Sequence, residues 1–119
     1  MTAPTGSAAA SIDRATFEDL QKTAGAEFVT ELVDTFLSEA PKMIDELRRA
    51  QAANAADTFR RSAHSLKSNS MTFGALNLGA MARALELGGL DAAREGDALD
   101  ALAAEYSRVA ARLTELRDA

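Results

Sequence analysis

The pattern that most restricts how this chain can fold lies near its C-terminus. After Gly96 and Asp97, the residues Leu99, Leu102, Tyr106, Val109, Leu113 and Leu116 follow one another at unbroken steps of three and four. That spacing puts them on one face of an α-helix, and a helix with a single apolar face has to bury it against something else. The rest of the chain offers partners of the same kind. From Ala26 to about Ala52, Phe28, Leu32, Phe36, Met43, Ile44 and Leu47 recur at helical intervals, and because the pattern resumes after Pro41, the proline predicts a kink rather than an end. Asn54 is placed to cap a third helix, whose stripe Phe59, Ala63, Leu66, Ser70 and Phe73 runs until Gly74. Leu78, Met81, Leu85 and Leu87 mark a fourth, and Gly88 and Gly89 predict an end or a distortion in it. Upstream, Asp13 can cap a short helix carrying Phe17 and Leu20, with a turn at Gly25.

No segment alternates with the period of a strand, so the expected class is all-α. Four longer helices joined by short connections bury their stripes as an antiparallel up-and-down four-helix bundle, with the short additional N-terminal helix laid on one end. With 119 residues, one core is the expectation. Residues 1–11, small and unpatterned, read as a flexible leader, and residues 12–119 as the bundle domain.

Composition then removes whole classes of function. A net charge of -5 and a pI near 4.8 oppose attraction to a phosphate backbone, and aromatic residues at 5% without tryptophan leave few surfaces for stacking bases. Nucleic acid is therefore not an expected partner. No cysteine is present, so disulfides, thiolate chemistry and cysteine zinc sites drop out. No stretch approaches the roughly 20 apolar residues that cross a bilayer, and the first ten residues lack the basic flank and apolar core of a signal peptide. A cytoplasmic monomer that meets no membrane is the expectation.

One residue carries chemistry. With Phe59 at the origin of a helical wheel, the stripe of the third helix falls within about 40° of it, whereas His64 falls at about 140°. The chain's only histidine is thus expected to face solvent or the rim of the bundle. Arg60 lies one turn before it, Lys67 and Ser68 about one turn after, and Met71 two turns after. Between Phe59 and Phe73 stand Arg60, Arg61 and Lys67 and no acid, inside an acidic protein. A neutral imidazole offers a nucleophilic ring nitrogen that can hold a labile phosphoryl group. Lys67 at i+3 can reach oxygens on such a group, Arg60 or Arg61 adds attraction for an acidic surface, and Ser65 and Ser68 leave room beside the ring. A solvated basic face is the alternative reading of the same residues.

The run His64-Ser65-Leu66-Lys67, followed by Phe73-Gly74-Ala75, Leu78 and Leu85-Glu86, resembles the signature of histidine-containing phosphotransfer (HPt) domains. The segment Phe28 to Pro41, with its Phe36-Leu37-Ser38-Glu39-Ala40-Pro41, and the Arg94-Glu95-Gly96-Asp97 that precedes the last helix are also similar to that family. The resemblance implies a phosphorelay intermediate: His64 takes a phosphoryl group on Nε2 from a receiver-domain aspartate and passes it to a second receiver. It further implies that Lys67 stabilises the phosphoryl group and that Glu86, where many members carry glutamine, orients the imidazole through its other nitrogen. Arg60, Arg61, Ser65, Ser68 and Met71 are the implied docking surface. The carrier itself needs no cofactor or metal, Mg²⁺ being expected on the receiver, and it is not an enzyme with kinase activity of its own. Ser68 departs from the family's usual glycine. A bundle that docks without using phosphate is the alternative function, while the sequence offers neither a nucleophile elbow for a serine hydrolase nor a glycine-rich phosphate loop for a kinase.

Overall fold

The computed structural model describes residues 11–94 and 96–119. Five helices follow one another: α1 (Arg14–Ala24), α2 (Ala26–Ala52), α3 (Ala56–Thr72), α4 (Leu76–Arg94) and α5 (Ala98–Asp118). Among the described residues there is no strand. Helices α2 to α5 pack each on the next, α5 also packs on α2, and α1 lies on α2 and α3. No helix is long and apolar enough to cross a membrane among the described residues. Of the expected leader, residues 1–10 lie outside the described residues, and Ser11 is buried beside Ile12 rather than part of a solvated tail. Glu95 also lies outside them.

The helical period explains most of the core. All five stripe residues of α3, from Phe59 to Phe73, are buried, as are Leu99, Leu102, Val109 and Leu113 of α5, with Tyr106 and Leu116 half-buried at its edges. Each large side chain removed from water in this way contributes on the order of 2 kcal/mol. On α2 the buried face is Val29, Val33, Phe36, Ala40, Ile44, Leu47 and Ala50. Phe28, expected in that face, is instead 52% exposed. The reason is phase: counting back from Phe36 by three and seven residues reaches Val33 and Val29, whereas Phe28 stands about 100° further round. Leu87 is likewise exposed, because nine residues from Leu78 turn the helix about 180° out of phase.

Two local expectations are also corrected or refined. Asn54 does not cap α3: the residue at the N-cap is Ala55, which makes no side-chain cap bond. Asn54 adopts φ 56°, a left-handed conformation that asparagine tolerates better than most residues, and its side-chain oxygen accepts a 2.6 Å hydrogen bond from Arg94 on α4. The distortion expected in α4 falls at Gly89, whose φ of 65° and ψ of -153° interrupt the helical geometry. By contrast α2 runs through Pro41. Proline has no N–H to give the carbonyl four residues earlier, that of Leu37, and this carbonyl accepts from the Tyr106 hydroxyl of α5 at 3.4 Å.

Contacts across the helices set the site's surroundings. Glu46 meets Ser62, Met43 meets Asn69, and Phe36 meets Phe73 between α2 and α3. Arg48 meets Asp100, Leu37 meets Tyr106, and Asp34 meets Arg117 between α2 and α5. The turn from α3 into α4 is locked by the N-terminal segment: the Asp13 N–H donates to the Gly74 carbonyl at 2.8 Å, and the Asp13 carboxylate caps α1 through Thr16. Gly74 has φ 83°, and a Cβ there would come within 2.8 Å of the Asp13 carbonyl oxygen, so only glycine fits both the backbone and the neighbour.

Candidate functional site

The ridge of α3 that faces away from the core carries His64, with 56% of its side chain exposed. The sequence places it there because Phe59, Ala63 and Leu66 fix the opposite face inward. Its Nδ1 lies 2.7 Å from Oε2 of Glu86, which reaches across from α4. The second oxygen of the same carboxylate, Oε1, lies 3.0 Å from the Lys67 ammonium, an ion pair whose angles fall short of a hydrogen bond. One carboxylate thus ties together the imidazole and the lysine one turn beyond it.

The electrostatics follow from this geometry. Glu86 has 18% of its side chain exposed, and desolvation alone would favour its neutral form. The Lys67 ammonium and then the His64 ring outweigh that effect and hold its carboxyl below the ordinary glutamate range. An ionised carboxylate can only accept, so His64 Nδ1 carries the hydrogen and donates it. In that neutral tautomer the lone pair sits on Nε2, which has no partner among the described residues. The neutral ring would present a solvent-facing Nε2 lone pair with a cation one turn away, which suits nucleophilic attack on an anionic electrophile.

The remaining residues singled out in the sequence surround this centre. Arg60 is exposed and paired with Asp57 at 2.9 Å, so part of the expected free positive charge on this face is neutralised one turn earlier. Arg61 makes no ion pair among the described residues, only a long contact with Thr58, and lines a polar cleft between α2 and α3 with Glu39, Glu46 and Ser65. Ser65 and Ser68 are exposed on the ridge. Met71 is 46% exposed on the α4 side. Among the described residues no group of three or more His, Cys, Asp or Glu side chains is placed to hold a metal ion.

The sequence reading missed what α4 contributes besides Glu86. Leu76, Gly79, Ala80 and Arg83 line a groove with Lys67 and Met71. The signal was available: Arg83 lies three residues before Glu86, so any helix presenting one to α3 presents the other nearby.

No curated protein and no solved structure matches the chain. Residues 31–119 match the Hpt domain. The matched span runs from the second turn of α2 to the end of α5, so it includes the exposed imidazole, its carboxylate and its lysine. A match over that share of the sequence makes the chain a member of the Hpt domain family, phosphocarrier modules that pass phosphoryl groups on histidine within phosphorelays.

Proposed function

We propose that His64 is the phosphoacceptor of this domain, charged by the aspartyl phosphate of one receiver domain and discharged to the aspartate of another. The single observation that carries the reading is the Nδ1 to Glu86 contact of 2.7 Å, which leaves Nε2 as the basic, outward nitrogen. In the forward step the Nε2 lone pair attacks phosphorus, the bond from phosphorus to the aspartyl oxygen breaks, and the aspartate leaves as a carboxylate. The ring then bears the phosphoryl group on Nε2 and the proton on Nδ1, and the Glu86 carboxylate stabilises the positive charge this places on the imidazole. Discharge is the reverse with a new aspartate. Lys67, pivoting about its contact with Glu86, supplies a cation to the phosphoryl oxygens. Mg²⁺ comes with the receiver, and the phosphocarrier contributes no metal ligand.

The α2–α3 and α2–α5 pairs, in which later positions on one helix meet earlier positions on its partner, support reading α2 to α5 as an antiparallel up-and-down bundle. Such a scaffold presents one helix ridge rigidly to partners. The docking surface we infer around the ring comprises Arg60, Arg61, Ser65, Ser68 and Met71. Ser68, exposed one turn from His64, adds a hydroxyl where the family usually has glycine.

The test is incubation with a phosphorylated receiver domain and Mg²⁺, with His64→Gln in parallel. Acid-labile label that appears in the wild-type chain and not in the variant is the expected result. If the wild type binds receivers but never takes label, phosphate-independent docking replaces this reading.

A further inference from the structure

The groove between α3 and the first half of α4 is lined by Lys67, Met71, Leu76, Gly79, Ala80 and Arg83. Its shape begins with Gly79. A Cβ at that position would stand 2.5 Å from the Met71 sulfur, so the missing side chain is what lets the thioether settle against α4. Met71 and Leu76 each remain 46% exposed and form the apolar part of the groove. No lining residue is acidic and two are cationic, in a chain whose net charge is -5.

The two cations are not equivalent. Lys67 is held by Glu86, so within the cluster around His64 one positive and one negative charge cancel. Arg83 has no ion-pair or hydrogen-bond partner among the described residues, and it stands one helical turn before Glu86 on the same helix. It is the uncompensated charge on the α4 side of the site, as Arg61 is on the α2 side. An uncompensated guanidinium at the rim of an apolar groove complements a carboxylate on a surface that also covers Met71 and Leu76, and its planar fork can grip that carboxylate with two bonds.

We propose that Arg83 is a specificity-determining residue, which receives an acidic side chain of the receiver domain that docks over His64. The proposal rests on the phosphocarrier reading above and adds a second anchor on α4 to a docking surface otherwise confined to α3. Arg83 acts on encounter and on partner choice: receivers with an acid at the facing position dock faster, and those with a base there are rejected.

The experiment uses a panel of phosphorylated receiver domains, and phosphoramidate as a small phosphoryl donor that has no docking surface. The efficiency of labelling is measured at low and high salt for the wild type, Arg83→Gln, Arg83→Glu and a control, Arg49→Glu, at an exposed arginine near the end of α2. Arg83→Glu is expected to lower receiver labelling about tenfold at low salt and Arg83→Gln about threefold, with the gap narrowing at high salt. The fall should be several-fold larger with the receiver than with phosphoramidate, and Arg49→Glu should change receiver labelling less than about twofold. Equal receiver rates in Arg83→Glu and wild type, or equal falls with both donors, would overturn the proposal. Wild-type chain labelled by phosphoramidate but by no receiver would overturn this proposal while leaving His64 a reactive phosphoacceptor. Wild-type chain labelled by neither donor would overturn the phosphocarrier reading, and this proposal with it.

Discussion

Removing the Tyr106 hydroxyl tests whether α5 repairs the defect that Pro41 makes in α2. Proline cannot donate to the Leu37 carbonyl, and the Tyr106 hydroxyl reaches that oxygen at 3.4 Å. Tyr106 is half-buried, and burial pushes its phenol above the ordinary range, which keeps it a donor across the accessible pH range. A neutral hydrogen bond is worth about 0.5–1.5 kcal/mol net. At this length Tyr106→Phe should fall in the lower half of that range, about 0.5–1 kcal/mol. Pro41→Ala restores an amide that can donate to Leu37 along the helix and relieves the ring's clash. Against that, the unfolded chain gains freedom worth about 0.4–1 kcal/mol. The net expectation is stabilisation of about 1–2 kcal/mol. The decisive quantity is the coupling. In the Pro41→Ala background the Leu37 carbonyl already has a partner, so Tyr106→Phe should cost about zero there. Urea unfolding of all four proteins, followed by circular dichroism, gives the cycle directly. If Tyr106→Phe costs the same in both backgrounds, the hydroxyl does not serve the carbonyl that proline orphans, and the account of α2 is wrong.

Three further outcomes are expected. Lys67→Ala should leave the bundle folded and slow phosphoryl transfer by roughly ten- to a hundredfold, the loss of one charge-stabilising donor; unchanged transfer rates would remove its assigned role. Arg108→Ala should destabilise the fold by about 1–3 kcal/mol, because Glu105 is 1% exposed and Arg108 is its ion-pair partner at 3.0 Å, and the cost should shrink when Glu105 is changed to Gln; denaturation midpoints that move equally in both backgrounds would sink this reading. The Glu86 carboxyl titrates lower in the folded than in the unfolded chain, so its contribution to stability is fully present above the ordinary glutamate range and is lost as pH falls through the depressed folded value. The stability gap between wild type and Glu86→Gln should accordingly hold from neutral pH into mild acid and close below it, as followed by thermal unfolding across that range; a gap that widens in acid would contradict the sign.

The helical period made the class, the five segments and most of the core readable before any coordinates, because burial of an apolar stripe leaves few choices. Errors arose where size was weighed above phase, as with Phe28 and Leu87, each a large apolar residue standing out of register with its helix. Asn54 misled for another reason: the same side chain that caps helices also tolerates left-handed backbone, and only the position of Arg94 decided between them. At the candidate site, the exposure of His64 and the nearness of Lys67 one turn on were legible from spacing on one helix. The joint grip of Glu86 on both was not, since it depends on how α4 lies against α3. Glu105 was invisible because its place among Leu102, Tyr106 and Val109 puts a charge at the margin of a stripe where sequence alone suggests solvent.

The solitary imidazole has a spectroscopic consequence. In a sample labelled with ¹⁵N, every imidazole-nitrogen resonance comes from His64, so its tautomer, its proton and the phosphoryl group proposed for it can all be followed without assignment or mutagenesis. The chain carries a built-in gauge of the state of that ring, readable while a receiver is titrated, and it is a direct readout of the proposed transfer.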